Sequence, residues 1–370
     1  MKFNFTEEQD AFREALRRFL EAKSPTTEVR KQMATERGYD SETWRAMAED
    51  LALTALHIPE EFGGAGFGIT ELAIAAEEMG RALLPSPFLG SAVLAATSIL
   101  HGGSDAQKRT LLPSLADGKT IGALAAAEPG GGWGASTIKM AAVASGDSYK
   151  LTGTKAYVLD GMIADLLVVV ARLPNGALGL FSVDGENIQR TALKPMDPTR
   201  KLARLDFNNT PAYLLGEAGS GEAAYAKTLD IGSACLANEM MGGAERLRED
   251  ALEYVSMRMQ FGRTIASFQV TKHKAADMLL DVELAKSAAY SAATAIDDGD
   301  ADASAITSLA KAGASDVYIQ TAIHAVQMHG GIGFTADNDT QLWFKRAKAS
   351  EVLLGTAAEH REHMLQHWSA

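Results

Sequence analysis

Residues 319–356 read IQTAIHAVQMHGGIGFTADNDTQLWFKRAKASEVLLGT. Ile319, Ile323 and Val326 recur at helical spacing, and that pattern runs into Gly330-Gly331. A glycine pair at a helix end stops the helix and lets a ligand or another backbone come close. A second amphipathic pattern follows through Leu342, Trp343, Ala347 and Val352 and reaches Gly355-Thr356.

The same helical pattern extends upstream. Residues 221–259 predict one long helix with Ala- and Met-rich faces, and 268–296 predict a second. The acidic turn 297–303 leads to a third that ends at Gly330, and a fourth spans about Asp339 to His367. Four long helices with short connections predict an antiparallel four-helix bundle over 221–370.

Between 121 and 220 the period changes to alternating, β-rich runs: KMAAVAS, YKLTGTKAYVL, ADLLVVVAR, ALGLFSV and LARLDFNN. Ser145-Gly146-Asp147 and Pro174-Asn175-Gly176 are hairpin-type turns. This predicts a middle β-barrel or sandwich domain. The first 120 residues are helical again. Thr6-Glu7-Glu8-Gln9 is a capping box ahead of Phe12, Leu16, Phe19 and Leu20 on one face. Further helices are predicted over 41–51 and 69–84, with two more before residue 118, and a glycine-punctuated loop covers 58–68. The fold class is α+β.

Composition narrows the function classes. The chain has 370 residues, 46% hydrophobic and 22% charged, with a net charge of −12. It is long enough for several domains, and its acidity disfavours nucleic acid or anionic membrane surfaces as partners. A single cysteine, Cys235, excludes an intrachain disulfide and a cysteine-rich zinc site, and no metal is expected. The N-terminus lacks an apolar signal core, and the longest apolar run, around Ile163–Ala171, is too short to span a bilayer. A cytoplasmic location is the expectation.

Four stretches in order, IPEEFGGAGFG (58–68), GTKAYV (153–158), RMQFGRTIASFQ (258–269) and QMHGGIGF (327–334), resemble the acyl-CoA dehydrogenase family over essentially the whole chain. The helical, β, helical-bundle order is that family's layout. The resemblance implies FAD, an acyl-CoA substrate, and an electron-transfer flavoprotein or similar acceptor. It implies cofactor contacts at Arg258, Phe261, Ile265, Gln269, Gln327, Gly330, Gly331 and Thr356. In the family the segment matching Arg258 to Gln269 reaches the ADP half of a neighbouring subunit's FAD. A guanidinium suits pyrophosphate and glycines let backbone approach it. A lone His329 beside the glycines is read as structural.

Elsewhere the sequence departs from the family. Where members carry T-E-P-x-A-G-S-D, this chain has Ala127-Glu128-Pro129 followed by Gly130-Gly131-Gly132-Trp133-Gly134. Where they carry W-[IV]-[TS]-N, it has Tyr157-Val158-Leu159-Asp160. Both flavin-contacting hydroxyls are replaced, by Ala127 and Leu159. The tripeptide E-G-T, whose glutamate is the usual base, reads Leu354-Gly355-Thr356. The alternative base position, on the first bundle helix, falls at Gly232. α,β-Desaturation needs a base for the α-proton, and leucine accepts none. Glu351, three residues before Leu354, is a candidate about one helical turn (~4.5 Å) away; Glu239 lies further from Gly232.

The retained motifs are those that serve a neighbour's cofactor, while those of the chain's own flavin ring and base are lost. That asymmetry resembles the non-catalytic β subunit of heterotetrameric (α2β2) acyl-CoA dehydrogenases of bacterial steroid side-chain degradation. The leading expectation is such a subunit, sharing FAD with a homologous catalytic subunit. Two alternatives remain: a self-sufficient homotetrameric flavoenzyme with a displaced base, and a non-enzymatic acyl-CoA-binding scaffold.

Overall fold

The computed structural model describes residues 5–186 and 188–369. Helix α1 (Glu7–Lys23) starts at the expected capping box: the Thr6 hydroxyl accepts from Gln9 N, and the Gln9 side chain accepts from Thr6 N. Helix α2 (Thr26–Met33) begins directly after Pro25, where the sequence reading placed only a stop. Proline lacks the N–H that a first helical turn leaves unpaired, so it begins helices as readily as it ends them. Next come α3 (Ser41–Glu49), capped by Asp40, then α4 (Ile69–Ala82), α5 (Ala96–Gly102) and α6 (Asp105–Ala116). A fully buried π-helical stretch, Phe88–Ala95, precedes α5.

Seven strands follow: β1 (Gly122–Ala125), β2 (Ala142–Ser145), β3 (Ser148–Leu159), β4 (Leu166–Arg172), β5 (Leu178–Asp184), β6 (Gln189–Ala192) and β7 (Leu202–Leu214). Their order is β1-β4-β5-β7-β3-β2, with β6 on β7. All pairs are antiparallel except β1 with β4. Strand β7 pairs with β3 along most of its length, and its last two residues pair with β5. It thereby ties two halves of the sheet around one core that includes Val169, Phe181, Leu151, Leu205 and Phe207. Both predicted hairpins form, with Gly146 and Gly176 at positive φ. Strands β1 and β6 escaped the sequence reading. β1 is four residues, Gly-Ala-Leu-Ala, all buried, so it shows no alternation.

From Gly221 the chain is helical: α7 (Gly221–Met257), α8 (Gln269–Asp297), α9 (Ala303–His329), α10 (Thr340–Val352) and α11 (Ala357–Ser369). A two-residue ladder, β8 (Met259–Gln260) and β9 (Arg263–Thr264), joins α7 to α8. The expected single fourth helix is corrected here: it breaks into α10 and α11 at residues 353–356. Leu354 has φ 59° and Gly355 φ 114°, which no α-helix accommodates.

Contacts group the chain into two compact units that cut across the three linear segments. One holds the segment ending at Arg30, Ala73–Leu84 and the chain from Ser233; the other holds Lys31–Leu72 and Pro85–Gly232. Within the first, α4 and α7 touch backbone to backbone. A Cβ on Gly80 would overlap the Glu239 carbonyl, and one on Gly242 would overlap the Glu77 carbonyl. Gly242→Ala is therefore expected to cost about 3 kcal/mol. Gly313→Ala in α9, where a methyl meets nothing within 4 Å, is expected to gain about 0.5–1 kcal/mol. Urea unfolding of the two variants checks this; equal midpoints would overturn the crossing as the cause.

Candidate functional site

The ladder and the end of α9 build a groove within the first unit. Tyr254 precedes Arg258 by one helical turn at the end of α7. The chain then reverses at Phe261 (φ 54°) and Gly262 (φ 78°), the paired positive angles of a type I′ hairpin. That reversal brings Ile265 and the start of α8 back beside α7, and Ile265 N donates to Arg258 O at 2.9 Å. Opposite, α9 ends at Gly330, whose φ 64°, ψ −141° only glycine adopts readily. A 3-10 turn, Gly330–Phe334, follows.

The groove measures about 700 Å³ and is lined by Arg258, Ile265, Gln327, Gly330 and Gly331, five of the eight expected cofactor residues, together with Tyr254, Lys274 and His329. A Cβ at Gly330 or Gly331 would meet nothing within 4 Å. Lys274 Nζ donates to the Gln327 side-chain oxygen. No lining residue is acidic, so in a chain of net charge −12 this groove carries two cations, Arg258 and Lys274, against no carboxylate. Its chemistry suits an anionic ligand with a flat or apolar part.

The other three expected residues lie outside the groove's lining. Phe261 projects from the hairpin tip, 90% exposed, edge-on to Phe268. The Gln269 amide donates to His273 Nε2 at 3.2 Å. Thr356 caps α11: its backbone N donates to the Glu359 carboxylate at 2.8 Å, and its hydroxyl accepts from Glu359 N at 3.3 Å. Lys274 was missed by the sequence reading. Its signal was available, one helical turn plus a residue past Gln269 on the helix that opens the groove.

Leu354, where the resemblance places the usual base, is tightly specified. Leu354 is 3% exposed, in the left-handed backbone region. Its carbonyl accepts from His360 Nε2 at 3.2 Å, and the Gly355 carbonyl accepts from the buried Lys311 ammonium at 3.1 Å. Lys311 also donates to Ser315 Oγ at 3.0 Å. Because a carbonyl only accepts, His360 carries its proton on Nε2. Its Nδ1 lies 3.3 Å from the Ser308 hydroxyl, which is also 3.0 Å from His363 Nδ1. Glu351 pairs with Lys348 at 2.6 Å. The expectation that it shares a helical face with Leu354 fails, because Leu354 stands outside the helix. Glu239 is buried against Arg346 at 2.7 Å, and Gly232 is buried within α7 with no carboxylate beside it in sequence.

In the second unit, Ala127 and Leu159 are buried. Glu128 is a strap: its carboxylate accepts from Met140 N at 2.8 Å, Lys139 N at 3.0 Å and Lys155 Nζ at 2.9 Å. Lys155 is fully buried, and burial pulls its ammonium down to about 8 despite the Glu128 charge. Glu128 thus closes the 128–140 loop onto β3. Next to it Tyr157, half exposed at φ 56°, sits at a register shift between Lys155 and Val158. Among the described residues no cluster of metal ligands occurs, and no helix is long and apolar enough to cross a membrane.

A helical segment, a seven-stranded sheet and a helical bundle with a cationic, glycine-rimmed groove define the acyl-CoA-oxidising flavoprotein class. The match is direct: residues 6–119 fit the acyl-CoA dehydrogenase N-terminal domain and residues 219–368 its C-terminal domain. The chain belongs to the acyl-CoA dehydrogenase family, oxidoreductases that act on CH–CH bonds and bind FAD. It is 33% identical over 353 residues to acyl-CoA dehydrogenase IpdE2 of Mycobacterium tuberculosis, covering 95% of each chain. Among solved structures, butyryl-CoA dehydrogenase from Megasphaera elsdenii aligns with TM-score 0.91 and 27% identity over 100% of both chains. The Tcur3481-Tcur3483 steroid ACAD aligns with TM-score 0.88 and 28% identity over 98% of both.

His360 makes the turn at 353–356 acid-sensitive. Burial, then the Lys311 charge, push it from its ordinary 6.5 to about 4. Between those values the unfolded chain binds the proton and the folded one does not. This contribution is therefore complete above about pH 6.5 and is lost on acidification, by up to about 1.4 kcal/mol per pH unit. Burial likewise pushes His57 and His101 down to about 4. Urea midpoints at pH 7 and pH 5 read the sum, and His360→Gln is expected to reduce the difference without abolishing it; an unchanged difference would exclude His360 as a source.

Proposed function

We propose that this chain is the flavin-completing partner subunit of a heteromeric FAD-dependent acyl-CoA dehydrogenase. It lends the ADP half of a FAD site to a homologous catalytic subunit and performs no proton abstraction itself. The observation that carries this reading is the contrast between an intact cationic groove and a base position occupied by a buried leucine. Around Leu354 the polar groups are already committed: His360, Thr356 and Glu359 to the turn, Glu351 to Lys348. FAD, when bound, supplies the hydride acceptor for α,β-desaturation. On this side Arg258 and Lys274 would meet its phosphates, while Gly330 and Gly331 leave room for close approach. The groove residues fit that end of the cofactor in charge and shape.

The proposed substrate class is a bulky acyl-CoA such as a steroid side-chain thioester. The steroid ACAD relative, whose name joins two components, supports both the substrate class and the α2β2 arrangement. An electron-transfer flavoprotein is the proposed acceptor class, and a cytoplasmic location fits these partners.

The test is flavin content. Purified alone, the chain is expected to hold well under one FAD per chain by absorbance; co-purified with its catalytic homologue, the complex is expected to hold flavin and oxidise acyl-CoA. Arg258→Ala in that complex should weaken FAD retention roughly tenfold or more. One FAD per chain in the isolated protein, with flavin bleaching by an acyl-CoA, would replace this reading with the self-sufficient enzyme.

A further inference from the structure

We infer that His329, stacked on Tyr254, reads the nucleoside part of the groove's ligand through a hydrogen bond accepted at Nε2. The inference rests on the reading of the groove as an ADP site. The sequence alone suggested a structural histidine, and half of that holds. His329 Nδ1 lies 2.8 Å from Ala325 O, one turn back on α9. The carbonyl has no proton to give, so Nδ1 carries the hydrogen and donates it. In the neutral ring the remaining lone pair is on Nε2, and no partner for Nε2 occurs among the described residues.

The ring is also fixed in plane. Tyr254 from α7 lies against it with centroids 4.5 Å apart and planes 22° from parallel. Both residues line the groove, at the end where α9 gives way to the Gly330–Gly331 rim. His329 is 9% exposed, so its orientation is locked by packing as well as by Ala325. A locked ring with one spare acceptor on the wall of a cationic groove is a recognition element.

The charged groups facing the groove differ from His329 in kind. Arg258, just past the end of α7, and Lys274 on α8 are donors only, and they suit phosphates; the Gly330–Phe334 turn adds no titratable side chain. An acceptor beside an aromatic pair suits instead a hydrogen-bond donor carried on or next to a flat ring. In an adenine nucleotide that donor is the 6-amino group or a ribose hydroxyl. The two sources share one chemistry, and ligand analogues separate them.

The experiment titrates the full-length chain with ADP by calorimetry at pH 8, alongside purine riboside diphosphate, 2′-deoxy-ADP and 3′-deoxy-ADP. The wild type is expected to bind ADP about tenfold more tightly than the analogue that lacks the donor. His329→Phe keeps the stack and deletes the acceptor. It is expected to bind ADP about tenfold more weakly and to lose the preference for ADP over that one analogue, leaving the other preferences intact. Loss confined to the purine analogue assigns the amino group, and loss confined to a deoxy analogue assigns that hydroxyl. Equal wild-type affinity for all four ligands overturns the inference even if the variant fails to fold, as does a variant that weakens every ligand equally. Failure of the wild type to bind ADP at all overturns the reading of the groove, and this inference with it.

Discussion

The first unit depends on the contact between α4 and α7. Gly80 and Gly242 let the two helix backbones meet at the Glu239 and Glu77 carbonyls. An approach that close leaves no room for water, so the polar face of α4 is sealed with its carboxylates inside. Glu77 and Glu78 are 2% and 1% exposed. They survive there because cations arrive from two other helices. Arg13 and Arg17 come from α1, and Lys286 and the Tyr290 hydroxyl come from α8. Removing one partner of such a cluster leaves a buried charge unpaired, at a cost of roughly 3–5 kcal/mol, whereas the complete cluster contributes little net stability. The glycines therefore set the spacing, and the ions fix which helices occupy it.

Helix α9 carries that geometry to both functional regions. It packs against α8, α10 and α11. Its last turn presents His329 and Gln327 to the groove and ends at Gly330. About five turns earlier its Lys311 reaches the end of α10, donating to the Gly355 carbonyl. The helix C-terminus is where carbonyls lack partners, and a buried ammonium both satisfies them and complements the local dipole. The groove and the turn at 353–356 are thus held by different stretches of one helix.

What could be read from the sequence follows the reach of each signal. Periodicity located the long helices, and Gly146 and Gly176 marked the hairpins, because those signals are local. β1 is too short and too uniformly buried to alternate, and α2 was hidden by a proline read only as a stop. The break at Leu354 carries a glycine but no proline, and α10 and α11 continue the helical pattern on either side. Lys311, Glu359 and His360, distant or later in the chain, make the break hold. At the groove, Arg258, Gln327 and the glycines were visible as motif letters. Lys274 was within reach of the Gln269 spacing, whereas Tyr254 and the tautomer of His329 required knowing what stands opposite. Glu128 illustrates the converse. In the sequence it is a letter kept from the family's T-E-P segment; in the structure its carboxylate accepts from Lys155 and two backbone amides, and that structural duty accounts for a glutamate there.

The turn at 353–356 separates shape from chemistry. A leucine in the left-handed region stores strain of order 1 kcal/mol or more, so the conformation must be imposed from outside. The restraints act on backbone atoms: His360 on the Leu354 carbonyl, Lys311 on the Gly355 carbonyl, and Glu359 on the Thr356 amide. None touches the side chain at 354. The turn is therefore indifferent to whether that side chain is a carboxylate or a hydrocarbon, within the volume available. A chain built this way can exchange the side chain at 354 and keep its turn, its bundle and the groove near the end of α9. The buried apolar Leu354 stabilises the fold through desolvation, where a carboxylate without a partner would cost free energy. On the proposed reading, that trade suits a subunit that leaves proton abstraction to its partner.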